Sequence, residues 1–137
     1  MQPQTPEPET SAKNVLAIGN QYKLTIVSLC LQVPHGNYRV VPYQTQFSGL
    51  RVVGGEDPLL AMIKECLNCT AMIVDYQELR AIEIAKRAGF SGPIIGITFT
   101  PADMPGADMV LSIQALADDG DLLERTLDQL CNRPYSP

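Results

Sequence analysis

The stretch TAMIVDYQELRAIEIAKRAGFSGPIIGITFTPADMPGADMVLSI, residues 70–113, decides the fold of this chain. It opens with the apolar run Thr70–Asp75, which is typical of a strand buried on both faces. The segment Gln77–Ala88 follows and predicts a helix, because its apolar residues recur on one helical face. Two more apolar runs, Pro93–Thr98 and Asp108–Ile113, predict the next strands.

The segments on either side continue the same alternation. Leu123, Leu127 and Leu130 repeat at the spacing of a core-facing helix near the end of the chain. Upstream, the sequence predicts a strand at Asn14–Gly19, a helix at Tyr22–Val33, a strand at Tyr38–Tyr43 with Pro42 marking an edge, and a helix that starts at the Asp57 cap and ends near Asn68.

Strands that alternate with helices predict a parallel sheet with right-handed crossovers. We therefore expect an α/β fold: a doubly wound, flavodoxin-like, five-stranded parallel sheet with helices on both faces. Functional loops in such a fold lie beyond the carboxyl ends of the strands.

The two flanks have a different composition from this core. Residues 1–13 are polar and rich in proline, and residues 132–137 are similar. Neither offers enough apolar surface to offset its ordering entropy. We expect a linker at 1–13, one domain at 14–131 and a flexible tail at 132–137. A domain cut from a longer chain is favoured over a free-standing protein with loose ends.

The net charge and the cysteines argue against several classes of protein, namely nucleic-acid binders, membrane proteins and exported proteins. The formal net charge is −5, whereas nucleic-acid binders gather basic residues on one face. Neither a membrane span nor an export signal is visible. The four cysteines are therefore expected to be free thiols in a reducing compartment. We expect a cytoplasmic protein that binds neither nucleic acid nor membrane.

Asp75 and Thr98 end two successive predicted strands and should face the same crevice. Here the chain resembles the receiver domain of two-component response regulators and hybrid sensor kinases. AMIVDY resembles the strand with the phosphoacceptor aspartate, RAIEIAKRAGFSGPIIGIT the helix and strand that lead to the switch hydroxyl, and GADMVLSI the fifth strand. The resemblance makes Asp75 the phosphoacceptor candidate and Thr98 the switch-hydroxyl candidate.

Other positions depart from the receiver pattern. The acidic pair that holds Mg²⁺ in receivers is replaced by Gly19 and Asn20, so we expect no metal. The receiver lysine after strand five is matched by Ile113 and Gln114, which leaves phosphoryl charge without an ammonium partner. Thr98 follows Asp75 too closely for the usual loop plus a full helix. The segment FTPADMP then leaves the fourth helix short or missing.

Other candidate sites carry weaker signals. Cys66 and Cys69 form a CxxC pair at a helix end, where ordinary thiols are a better interpretation than redox or zinc chemistry. His35 is interpreted as a solvated turn residue, and Gly54-Gly55 as part of a helix start rather than a phosphate-binding loop. Residues 47–55 could form a short extra strand or an irregular loop.

These observations favour a pseudo-receiver, a non-catalytic regulatory domain in two-component signalling. It would act through a protein partner such as a kinase or an output domain, with no cofactor, by contacts along its helices or the Phe99–Pro105 loop. Asp75 would then be a relic, or a structural carboxylate that accepts backbone N–H bonds. The alternatives are an active, atypical receiver phosphorylated on Asp75, and a regulatory domain that binds a small ligand such as a nucleotide.

Overall fold

A computed structural model describes residues 13–32, 38–44, 58–100 and 102–131. The strands are β1 (Lys13–Gly19), β2 (Tyr38–Gln44), β3 (Ala71–Asp75), β4 (Ile94–Thr98) and β5 (Met109–Ser112). The helices are α1 (Gln21–Gln32), α2 (Pro58–Glu65), α3 (Arg80–Ala88), α4 (Ile113–Asp118) and α5 (Leu122–Cys131). A single 3-10 turn, Tyr76–Glu78, connects β3 to α3.

The five strands form one parallel sheet in the order β2-β1-β3-β4-β5. This order confirms the predicted doubly wound, flavodoxin-like architecture. Strand β2 lies at one edge of the sheet, and its Pro42 is exposed. An edge strand tolerates proline, because the missing backbone N–H is not needed there to pair with a further strand. The most apolar strands, β3 and β4, lie inside the sheet and are buried along their whole length.

Helices cover both faces of the sheet and divide the core into two layers. Alternate residues of β1 supply the two layers: Val15 and Ala17 pack with α1 and α5, whereas Leu16 and Ile18 pack with α2 and α3. Because successive side chains of a strand point to opposite faces, an uninterrupted apolar strand serves both layers. The sheet's central strands are thereby shielded from water.

The connection from β4 to β5 contains no helix among residues 99–100 and 102–108, in agreement with the expectation of a missing fourth helix. Met104 from this connection is buried instead, against the position where Gly96 lacks a side chain. Gly106 then adopts a positive φ of 91° and lies against Ile82 of α3. The connection therefore covers this part of the sheet with one inserted side chain in place of a helix.

The end of β5 differs from the prediction. The strand ends at Ser112, and Ile113 begins α4, a short helix that the sequence analysis missed. The Ser112 hydroxyl accepts a hydrogen bond from the Ala115 N–H at 3.1 Å, which caps the helix. The side chain of Ile113 still enters the core. Its apolar character therefore made it look like the last residue of the buried strand.

Several boundaries also need correction. Strand β1 begins at Lys13, one residue before its predicted start, and α2 ends at Glu65 rather than near Asn68. The short spacing after Asp75 does accommodate a helix, α3, of 9 residues, because a 3-10 turn replaces the longer loop. Gly89 ends this helix with a φ of 102°.

Some sequence predictions lie outside the described residues. These concern residues 1–12, His35, the 47–55 segment, Gly54-Gly55, the Asp57 cap and residues 132–137. Within the described ranges, no helix is both long enough and apolar enough to cross a membrane.

Candidate functional site

The carboxyl ends of β1, β3 and β4 meet at one edge of the sheet. Asp75 is the last residue of β3 and lies in register with Ile97, one residue before Thr98. Ile18 of β1 lies in register with Val74, which places Gly19 beside Asp75. The sheet therefore brings Gly19, Asp75 and Thr98 to the same edge, as the sequence predicted for the latter two.

The Asp75 carboxylate is buried, with the residue only 2% exposed, and both of its oxygens are engaged. Oδ1 accepts from the Lys23 ammonium at 2.5 Å and from the Gln77 N–H at 3.1 Å. Oδ2 accepts from the Asn20 N–H at 3.2 Å. A buried charge needs such partners, because the ionised form of an isolated carboxylate is strongly destabilised in a low-dielectric interior.

Lys23 is a residue of this edge that the sequence analysis did not single out. The lysine expected to be missing after strand five is absent there, but α1 supplies a different ammonium to Asp75 from its first turn. Lys23 is 3% exposed, and the side-chain oxygen of Asn20 accepts its backbone N–H at 2.9 Å, which caps α1 and fixes where the side chain starts. A signal was present, since Lys23 is the one charged residue in the apolar segment Tyr22–Val33.

An exposed aromatic pair lies directly above this ion pair. The Lys23 Nζ atom is 4.4 Å from the centroid of the Phe99 ring, within the range of a cation–π contact. Phe99 in turn stacks on Tyr22, with ring centroids 5.9 Å apart and an angle of 18° between the planes. Phe99 is 53% exposed and Tyr22 is 56% exposed, so the pair forms a boundary between the buried charges and water.

Gly19, one of the departures from the receiver pattern, lies in close contact with Asp75. A Cβ atom at this position would lie 3.0 Å from Asp75 Cβ and 3.3 Å from Asp75 Oδ2. The first distance is closer than ordinary van der Waals contact between carbons. A side chain at position 19 would therefore crowd Asp75, which would have to shift by a few tenths of an ångström to make room.

Thr98 and Ile113 have different surroundings. Thr98 is 1% exposed, and its hydroxyl oxygen has no hydrogen-bond partner within the described part of the chain. Ile113 packs into the core beneath α1 and α5, and Gln114 pairs with Asp118 at 3.0 Å on the exposed side of α4. Neither residue after β5 supplies a charge to Asp75.

The residues at this edge do not fit the Mg²⁺ ion that the resemblance to receivers implies. Gly19 and Asn20 contribute no carboxylate, and Asn20 uses its side-chain oxygen to cap α1. The Lys23 ammonium already neutralises Asp75. Across residues 13–32, 38–44, 58–100 and 102–131, no cluster of three or more His, Cys, Asp or Glu side chains could hold a metal ion. A hard dication prefers several charged oxygens, which this site lacks.

Cys66 and Cys69 lie just beyond the end of α2 and are both buried free thiols. Burial, together with the neighbouring Cys66, raises the pKa of the Cys69 thiol to about 11. Burial also raises the pKa of Cys30 and of Cys131. Because the thiolate is the reactive form, Cys69 is a poor nucleophile at neutral pH.

An open groove of about 510 Å³ lies at the opposite edge of the sheet, near the starts of β4 and β5. Its walls include Phe90, Pro93, Asp108 and Leu130. It does not contain Asp75 or Thr98, so it is separate from the edge where the sequence placed its candidate residues.

Comparison with solved structures supports the fold. The chain is similar to a response regulator receiver protein from Sinorhizobium medicae, with 14% identity, 90% of this chain and 98% of that one covered, and a TM-score of 0.61. It is also similar to a pilus assembly-related protein from Burkholderia pseudomallei, with 19% identity, coverage of 85% and 90%, and a TM-score of 0.55.

A third similar structure is a 3-dehydroquinate dehydratase-like protein from Bifidobacterium longum, with 13% identity, coverage of 92% and 100%, and a TM-score of 0.51. No protein-family model matches the chain, and no curated protein matches it. At these identities the likeness establishes a receiver-like fold and nothing about activity, because one fold hosts many functions.

Proposed function

We propose that this chain is a non-catalytic, receiver-like regulatory domain that works in two-component signalling through contacts with a protein partner. One observation carries the proposal: the buried Asp75 carboxylate pairs with Lys23 of the same chain, and Gly19 and Asn20 beside it offer no carboxylate that could hold a metal ion. The similarity to a receiver protein supports the signalling context at the level of the fold.

The surroundings of Asp75 argue against its use as a nucleophile. An oxygen that attacks a phosphoryl donor needs an open line of approach and a means to stabilise the charge that develops. Here Oδ1 has two donors and Oδ2 has one. A donor molecule would have to displace Lys23 to approach Oδ1, which would cost the pairing of two buried charges.

The exposed aromatic pair supports a protein partner. Tyr22 and Phe99 place two large rings in water at the functional edge of the fold. Tyr76, which follows Asp75 directly, is exposed at the same edge. Aromatic side chains dominate the energetics of many protein interfaces. The net charge of −5 makes a nucleic acid an unfavourable partner, and we propose a cytoplasmic setting without a cofactor.

A second candidate function is an active, atypical receiver phosphorylated on Asp75. Two observations favour it: Lys23 brings an ammonium to the phosphoacceptor position, and the buried Thr98 hydroxyl has no partner among the described residues. A phosphoryl group on Asp75 could accept from both. The absence of acidic ligands at Gly19 and Asn20 makes it the weaker of the two candidates.

An NMR titration distinguishes the two functions. The ¹H–¹⁵N spectrum of the protein is recorded with Mg²⁺ and then with beryllofluoride, which mimics an aspartyl-phosphate, and D75N is the matched control. We expect no specific change in the wild-type spectrum. Saturable shifts around Asp75 and Thr98 that are absent in D75N would overturn the proposal and support the active receiver.

A further inference from the structure

We infer that Lys23 is a positioning residue that couples the buried Asp75 carboxylate to the exposed Tyr22–Phe99 pair, so that a change at either is transmitted to the other. This inference rests on the proposed function, because it names how the same site is connected to the surface that a partner would contact.

The coupling depends on a single atom with two contacts. The Lys23 Nζ atom is 2.5 Å from Asp75 Oδ1 and 4.4 Å from the Phe99 ring centroid. The carboxylate supplies the full opposite charge, and the ring supplies the negative face of its quadrupole. Since both contacts meet at one ammonium, a displacement of that ammonium changes both of them.

The ammonium depends on Asp75 because it is buried. The Lys23 side chain is 4% exposed and the Asp75 side chain 1% exposed. An ammonium in such surroundings is tolerated only while a counter-charge is present. When the carboxylate loses its charge, the flexible lysine stem allows the ammonium to move toward water, away from its position over Phe99.

The aromatic pair lies where a movement of the Lys23 ammonium would change its surroundings. Tyr22 immediately precedes Lys23 on α1, and Phe99 immediately follows Thr98 at the end of β4. The stack thus connects the first turn of α1, which carries Lys23, to the end of β4. Loss of the ammonium beneath Phe99 removes an attraction that holds the ring in the stack, and the ring changes its surroundings.

Linkage makes the coupling reciprocal. A protein that binds Phe99 and pulls it from the stack would weaken the hold of Lys23 on Asp75. Conversely, a change in charge at Asp75 would alter the affinity of that protein. The device needs no metal and no phosphoryl group, since the lysine is the resident cation.

The test uses the ¹⁹F NMR spectrum of protein labelled with 4-fluorophenylalanine. The chain has three phenylalanines, and F99L assigns the Phe99 resonance. Phe90 is buried in the α2–α3 layer and serves as an internal reference. The variants are D75N, K23M, K23R and the double variant K23M/D75N, with I82V as a control that perturbs the core on the α3 side.

We expect D75N and K23M to shift the Phe99 resonance in the same direction while the Phe90 resonance stays in place. K23M/D75N should show the shift of one single variant rather than the sum, because both changes break one connection. K23R should retain most of the wild-type position, and I82V should leave it unchanged. Should D75N fail to fold, K23M/D75L removes both charges together and is expected to shift Phe99 as K23M does.

A Phe99 resonance that stays at its wild-type position in D75N, or in K23M/D75L, would overturn the coupling and leave Lys23 with a purely structural role. So would additive shifts in K23M/D75N. This readout involves neither Mg²⁺ nor beryllofluoride. A response to beryllofluoride would therefore overturn the proposed function without affecting the coupling, and an unmoved Phe99 would do the reverse.

Discussion

The Lys23 ammonium lies 2.5 Å from Asp75 Oδ1 across a sequence separation of 52 residues. The two residues meet because β1, which leads into α1, is the parallel neighbour of β3, which ends at Asp75. Both side chains are buried, so the pair is weakly screened by water. Each charge of the pair is therefore compensated mainly by the other one.

Removing one member of the ion pair should destabilise the fold strongly. K23M and D75L should each lower the free energy of unfolding by about 3–5 kcal/mol, because each leaves a buried charge without its partner. The double variant K23M/D75L should lose much less than the sum of the two single effects. Urea denaturation measures all three, and additive losses would show that the two charges do not depend on each other.

A side chain at position 19 should destabilise the fold. G19A should cost about 1–3 kcal/mol of stability, because its Cβ would crowd Asp75. G120A is the matched control, since a Cβ at Gly120 meets nothing within 4 Å.

The same crowding predicts the result of restoring an acidic residue there. G19D should not confer Mg²⁺ binding, measured by isothermal titration calorimetry, since its Cβ would crowd Asp75 and the Lys23 ammonium already pairs with that carboxylate. Tight Mg²⁺ binding by G19D would contradict this account of why the site carries glycine.

Gly96 and Met104 should behave as a matched pair. G96A should cost about 1–3 kcal/mol, because the new methyl group would overlap the Met104 thioether. M104A should cost about 2–5 kcal/mol through the cavity that it leaves.

The double variant G96A/M104A should lose less than the two single losses combined, because the added methyl group enters the space that Met104 vacates. Thermal and urea unfolding provide the comparison. A fully additive result would show that Met104 does not depend on the absence of a side chain at Gly96.

Alkaline pH should weaken the fold in part through Cys69. Burial raises the pKa of this thiol from its ordinary value of 9.0 to about 11 in the folded state. The unfolded chain therefore loses the proton first. The contribution of Cys69 to stability is complete below pH 9.0 and is lost as the pH rises toward about 11.

C69A is the matched variant for this prediction. Its free energy of unfolding, measured in urea at a series of pH values, should fall less between pH 9 and pH 11 than that of the wild type. The raised pKa of Tyr38, caused by burial and by its hydrogen bond to Asp128, contributes equally to both proteins and cancels. Parallel curves for the two proteins would show that the Cys69 proton is not linked to folding.

Much of the fold could be read from local pattern. The apolar runs that end at Asp75 and Thr98 predicted two central strands, since a strand covered on both faces has no polar side. Glycine at the end of α3 marked its terminus. Pattern failed at Ile113, where a capping serine turned the chain into a helix although the side chain remained buried. Burial alone does not distinguish a strand from the first turn of a buried helix.

The sequence by itself determined the alternation of strands and helices, the parallel sheet and the positions of Asp75 and Thr98 at its carboxyl edge, because these follow from local periodicity and from the rules of parallel sheets. Only the tertiary structure decided which cation meets Asp75. That choice depends on the reach of a side chain on α1 across β1 to β3, and on the space that Gly19 leaves open. Distance between residues far apart in sequence is a property of the folded chain, and the ion pair with its aromatic cover exists only there.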